Sequence, residues 1–185
     1  MRKIIDITRD LLITPPYPGD APPRLTQTAD FKTDHYHESR VEMSVHAGTH
    51  MDAPLHFLEA GADIASVRSE AFLGKCLVLD AVELMTLQPG MELPQRLLVR
   101  GTPELTGERL KKVLSLPLLL IGTDTNSIGM PDCEEEAHIP LLEKGVAILE
   151  NVNLSEVSNG WYDLIALPLL LHGVEASPCR AFLLA

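Results

Sequence analysis

Three histidines and one aspartate fall within eleven residues, His46-Ala47-Gly48-Thr49-His50-Met51-Asp52-Ala53-Pro54-Leu55-His56, separated by a glycine, a proline and mostly small side chains. Imidazole nitrogen and carboxylate oxygen are donors that divalent metal ions take, and imidazole also moves protons near neutral pH. A solvated polar loop would account for the clustering alone, since five of the seven histidines lie between positions 35 and 56. Asp52 and the small residues at 47, 48 and 49 favour a metal site, because backbone approaches an ion closely only where side chains are small.

The spacing can be tested against geometry. His46, His50 and Asp52 share parity, so a straight strand would aim all three at one face. At about 3.3 Å per residue it would also hold the two histidines roughly 13 Å apart. Zinc takes imidazole nitrogen at about 2.0–2.1 Å, so ligands must converge through a helical turn or a bent loop. Gly48 tolerates unusual backbone angles, while Pro54 fixes its own φ and biases Ala53 towards extended conformations. The expected arrangement is a strand over Arg40–Val45 that delivers His46 into a metal-binding loop.

The elements that must position this stretch read as mixed α/β. Strands are expected over Lys3–Thr8, Cys76–Ala81, Arg96–Arg100, Pro117–Gly122, Val146–Glu150, Leu164–Leu170 and Pro178–Leu184, with Pro168 making its strand irregular or an edge. Phe57 to Val67 reads as a turn and a short helix. Helices are expected over Thr106–Leu114, with Thr106 as N-cap, and Cys133–Lys144, where Glu134, Glu135 and Glu136 suit the positive end of the dipole and Gly145 suits C′. Thr14 to Pro23 holds five prolines and reads as a stiff loop, either a plain connection or a pocket wall. Tyr17 on that loop is the candidate substrate contact. His35 and His37 read as surface residues outside the ligand set. Trp161, in a Ser-Asn-Gly-Trp-Tyr turn, either caps the fold or stacks on a ligand.

Charges interrupt apolar strands at three places. Asp80, Asp124 and Glu150 sit at or just beyond the C-terminal ends of strand candidates, where open α/β sheets place ligands. Glu150 follows four apolar residues directly, so in a central strand its carboxylate must be paired or metal-bound. His138 shares a helix face with Leu141 and Leu142, which leaves it either a hydrogen-bonded core histidine or a ligand.

Composition narrows the function classes. At 185 residues, with 45% apolar residues, 14 prolines and 12 glycines, one turn-rich domain over residues 1–185 is expected. A net charge of −11 without any basic run argues against a nucleic-acid partner. Cys76, Cys133 and Cys179 form no CxxC pair and indicate neither a disulfide framework nor a zinc ribbon, which fits a reducing cytoplasm. Asp6 interrupts the N-terminal segment before any apolar signal region, and the apolar run Leu164–Leu171 is too short to span a bilayer, so neither a signal peptide nor a membrane partner is expected.

The stretch from His46 to His56 matches the HxGTHxDxPxH signature of the cyclase-like metal-dependent hydrolases, a family that includes bacterial kynurenine formamidase. Tyr17-Pro18-Gly19-Asp20, Gly122-Thr123-Asp124, Ala137-His138, Gly145 to Asn151, and Leu164 to Pro168 with Ala176-Ser177-Pro178 resemble that family's landmarks in its order. The resemblance implies a compact α/β domain with a mixed, largely β sheet flanked by a few helices, assembled as a homodimer or larger. It implies that His46, His50 and Asp52 hold one metal ion and that Asp52 bridges to a second held by His138 and Glu150. The implied cofactor is two zinc ions per chain, with manganese the alternative, and His56 is the implied proton carrier. The implied reaction is hydrolysis of the formamide of N-formylkynurenine; another amide, isatin or a lactone is the alternative substrate, and a non-catalytic metal-binding protein the alternative class.

Overall fold

Strands whose residues of both parities are apolar must be buried on both faces, and two such strands, Arg96–Arg100 and Ala147–Glu150, run through the middle of the protein. The computed structural model describes residues 2–88 and 91–185. Its strands are β1 (Ile4–Asp6), β2 (Arg24–Ala29), β3 (Glu38–Glu42), β4 (His50–Asp52), β5 (Leu73–Asp80), β6 (Arg96–Arg100), β7 (Leu120–Thr123), β8 (Ala147–Glu150), β9 (Gly160–Pro168) and β10 (Ala176–Leu184). Its α-helices are α1 (Phe31–Asp34), α2 (Gly107–Ser115) and α3 (Glu135–Glu143).

The main sheet runs β1-β10-β4-β8-β7-β6-β5-β9, and β9 also pairs with β10. Seven strands therefore close into a ring, with β1 attached to the part of β10 beyond β4. The β5–β6, β6–β7 and β7–β8 pairs are parallel and the others antiparallel. The expected mixed, largely β sheet with few helices is what the chain forms, and ring closure is its added feature.

Alternation divides the core in two. Met51, Val78, Leu98, Leu120, Ala147, Leu149 and Leu164 belong to one apolar cluster, filled from the ring strands. Leu97, Val99, Ile121 and Ile148 point the other way and pack with Val113 of α2 and Leu141 and Leu142 of α3. Glu150, two residues beyond Ile148, thus faces the helix side. His50 and Asp52 lie on the face opposite Met51, and His50 stands directly across from Glu150 in the β4–β8 register.

Several expectations are corrected. The strand expected to deliver His46 is β3, which ends at Glu42 and among the described residues pairs only with β2, in a separate two-stranded sheet. A turn and bend over residues 45–49 follow, and then β4 itself carries His50 and Asp52, so the loop leads into the strand and not the reverse. β2 and α1 fall in a stretch with no apolar alternation, where no element was expected. β9 begins at Gly160, so Trp161 pairs with Leu77 inside a strand and does not sit in a turn. Pro168 ends β9, and Gly145 adopts φ 73° after α3, as a C′ glycine does.

Gly122 sits in the register row Leu98–Gly122–Leu149, where an added Cβ would lie 2.6 Å from Leu98 Cδ2 and 2.7 Å from the Leu149 carbonyl oxygen. Gly122→Ala should lower the urea midpoint by the equivalent of about 1–3 kcal/mol, the usual cost of overpacking a tight interior, with an unchanged slope.

Candidate metal centre

The bend that brings the histidines together is built by local chemistry. His46 lies in a turn closed by Ala47 N–H donating to the Ser44 carbonyl (3.1 Å), and its own N–H donates to Ser44 Oγ (3.1 Å). Gly48 has φ 61°, a left-handed conformation that turns the chain, and lies against Leu11. Thr49 then fastens the loop: its hydroxyl donates to the Asn151 carbonyl (2.7 Å) and accepts from Arg9 N–H (2.9 Å). After β4 the chain enters a short 3-10 turn, Pro54–His56, which places His56 back over His46 with ring centroids 4.3 Å apart.

All five expected ligand residues converge. Asp52 Oδ1 lies 3.0 Å from His46 Nδ1 and 3.5 Å from His50 Nε2, and Asp52 Oδ2 lies 3.9 Å from His138 Nε2. Glu150 lies 3.5 Å from His50 Nε2 and 3.3 Å from His138 Nε2. His46, Asp52 and His56 form one group able to hold an ion, and His50, Asp52 and Glu150 form another, so Asp52 belongs to both; the grouping departs from the expected one, since His56 stands with His46, His50 stands with Glu150, and His138 falls in neither group. Backbone carbonyls orient two of the imidazoles: His50 Nδ1 lies 2.9 Å from Gly48 O and His138 Nδ1 lies 2.8 Å from Glu134 O. That turns each Nε2 lone pair inward, the arrangement metal-ligating histidines adopt. Glu150 is further held by Ile128 N–H at 2.6 Å.

The decisive feature is Asp52. Its side chain is fully buried, and apart from the imidazoles that face it, the nearest being His46 Nδ1 at 3.0 Å, neither oxygen has a hydrogen-bond partner among the described residues. A buried carboxylate with no donor is costly unless cations neutralise it, so the donor set fits divalent ions. Without an ion the histidines carry that role. Burial pushes Asp52 up, but His50, His46 and His56 outweigh it and bring its pKa down to about 2. Burial likewise disfavours charge on His50, but Asp52 and Glu150 outweigh it and raise its pKa to about 9. His56 differs: burial, with His46 and His138 adding to it, holds its pKa below the ordinary imidazole value against the opposing pull of Asp52 and Glu150.

A cavity of about 190 Å³ opens onto these residues. Phe57, whose ring lies 4.4 Å from His56 and 4.7 Å from His138, lines it, and so do Tyr17 and Pro15 from the proline-rich loop. Tyr17 donates to Glu134 Oε1 at 2.8 Å, which raises the phenol pKa to about 12 and keeps it protonated. Glu134 and Phe57 were missed as pocket residues; in sequence Glu134 reads as one of three helix-dipole acids, and nothing marks it apart from its neighbours.

Other candidates lie elsewhere. Asp80 pairs with Arg100 (2.6 Å), and Asp124 accepts from Gly101 N–H (2.7 Å), so neither strand-end carboxylate joins the site. His35 caps α1, and His37 packs on Phe31 within the β2–β3 hairpin. Trp161 does not line the cavity. Among the described residues no helix is long and apolar enough to cross a membrane.

The profile of the Cyclase family matches residues 5–148. The chain belongs to the cyclase family. Among relatives of this cyclase-family chain, the kynurenine formamidase of Paracidovorax citrulli is 35% identical over 92% of this chain and 90% of its own length. A solved structure described as a potential metal-dependent hydrolase with cyclase activity superposes with TM-score 0.82 at 25% identity, covering 100% of this chain and 98% of its own. Isatin hydrolase A from Labrenzia aggregata, at 21% identity, shares the fold with TM-score 0.80, covering 100% of this chain and 94% of its own.

Because Asp52 is buried with no backbone or hydroxyl donor among the described residues, adding zinc to the metal-stripped protein should raise its unfolding temperature. At free ion a hundredfold above Kd the gain is about 2.7 kcal/mol. Asp52→Asn should abolish the zinc-dependent increment in a thermal scan; an increment kept by that variant would contradict the assignment.

Proposed function

We propose that this cyclase-family chain is a divalent-metal-dependent amidohydrolase that cleaves the formamide of N-formylkynurenine to formate and kynurenine. The observation that carries the metal reading is the fully buried Asp52 carboxylate, which has no backbone or hydroxyl donor among the described residues and is faced by His46, His50 and His138, with Glu150 beside them. The substrate is supported by 35% identity to a kynurenine formamidase across nearly the whole chain. In this reading His46, His50 and Asp52 hold one ion, and Asp52, His138 and Glu150 hold the other. Zinc is the proposed metal and manganese the alternative, in a cytoplasmic homodimer.

Bound divalent ions supply a water nucleophile near neutral pH and polarise an amide carbonyl. The residues of the chain do the rest. His56 lies with His46 and Asp52 in a group able to hold an ion, and burial holds its pKa below the ordinary imidazole value; in this reading it is the proton carrier and not a ligand, and it takes the proton from the attacking water. It returns that proton to the amine nitrogen as the C–N bond breaks, leaving formate and the free aromatic amine. Phe57 packs on the His56 ring and narrows its freedom, while Tyr17 and Pro15 wall the side where an aryl group would lie.

His56→Ala should keep full metal content by elemental analysis and lose about 10²–10⁴ in the rate of formate release. Loss of metal in that variant would mean His56 is a ligand. Glu150→Gln should reduce the metal stoichiometry from two towards one; a single ion in the unmodified protein would overturn the dinuclear scheme. In a panel of N-formylkynurenine, isatin and lactones, fast turnover of the first supports the proposal, and turnover confined to the others sinks its substrate assignment.

A further inference from the structure

His46 is oriented differently from the other two histidines of the centre. His50 and His138 give Nδ1 to backbone carbonyls, which the fold fixes, and present Nε2 to the carboxylates. In His46 the ring is reversed: Nδ1 faces Asp52 at 3.0 Å, and Nε2 faces outward to Glu175 Oε1 at 3.5 Å. His46 is also the most exposed of the three, at 19% of its side chain against 5% and 2%. It stands on a loop and not on a strand or helix.

Glu175 is placed for this contact by the sheet. Its carbonyl accepts from Ala53 N–H (2.8 Å), and the next residue, Ala176, is the register partner of Asp52. Position 175 is thereby locked beside the ligand strand. Its carboxylate makes no other ion pair among the described residues and is 38% exposed.

We infer that Glu175 is a positioning residue for the metal centre: its carboxylate, 3.5 Å from His46 Nε2, favours the ring proton on that nitrogen and so leaves Nδ1, which faces Asp52, free to be the donor to a metal ion. An imidazole has one proton to place when neutral, and a carboxylate at one nitrogen decides that the other is the donor to metal. An incidental surface contact between an exposed carboxylate and a histidine would contribute almost nothing. The inference rests on the metal reading above.

The test is zinc affinity of the metal-stripped protein, measured by competition with a chromophoric chelator, for the unmodified chain, Glu175→Ala and Glu175→Gln. Loss of a ligand-orienting carboxylate typically weakens metal binding 10–100-fold. Because Glu175 is partly solvated, the expected fall is at the lower end, about tenfold, for one ion and not for the other. Glu175→Gln keeps an oxygen acceptor and should lose less than Glu175→Ala. With cobalt in place of zinc, the visible absorption band should shift in Glu175→Ala, and the unfolding temperature of the metal-stripped protein should not move. Affinities within twofold of the unmodified protein for both variants would overturn the inference and leave the metal reading intact. Absence of any zinc binding by the unmodified protein would overturn both.

Discussion

A carboxylate with no backbone or hydroxyl donor on either oxygen among the described residues, sealed from water, sets the terms for everything around it. Asp52 sits on a three-residue strand between β8 and β10, so its backbone is satisfied by sheet pairing on both sides. Its side chain is not. Taking an ionised carboxylate out of water costs several kcal/mol unless the lost solvation is replaced by charge. The replacement comes from three directions: His46 and His50 from its own segment, and His138 from α3 laid across the sheet. A second buried carboxylate, Glu150, deepens the excess of negative charge, which histidine protons offset in the metal-free state and divalent ions offset better.

Ring closure is what makes that grouping reproducible. Adjacent antiparallel strands place His50 opposite Glu150 by register, and a slip of one residue would turn His50 and Asp52 into the apolar cluster around Met51. Such a slip would bury both polar groups where no partner exists, so the apolar face of β4 and the polar site on its other face enforce one alignment. The helices complete the arrangement from outside, with Leu141 and Leu142 fixing α3 on the sheet and His138 carried between them and the site.

The sequence analysis reaches the site residues more readily than their framework. His46, His50 and Asp52 are legible because no single straight element could bring them to one ion. Glu150 is legible because four apolar residues precede it. His138 remains ambiguous on physical grounds, since a core histidine and a ligand histidine occupy the same helix face. Asp80 has the same strand-end pattern as Glu150, but its neutralising partner, Arg100, comes from the neighbouring strand, and no local pattern reveals that pairing. The β2–β3 hairpin escapes notice because its strands bury only Ala29, which leaves no alternation to read. The pairing of β9 with β10 is likewise a matter of register between distant segments.

The position of β4 between β8 and β10 also dictates a folding order. His50 and Asp52 come early in the chain, but neither edge of their strand has a partner until residues 148–150 and 176–178 have been synthesised. Long-range pairings of this kind form late, after most of the loop-closure entropy has been spent elsewhere. An ion in the cell therefore meets a nascent chain that still has no pocket for it. The site is thus a product of the closed ring: its two carboxylates and their histidines come together only once β8 and β10 have flanked β4.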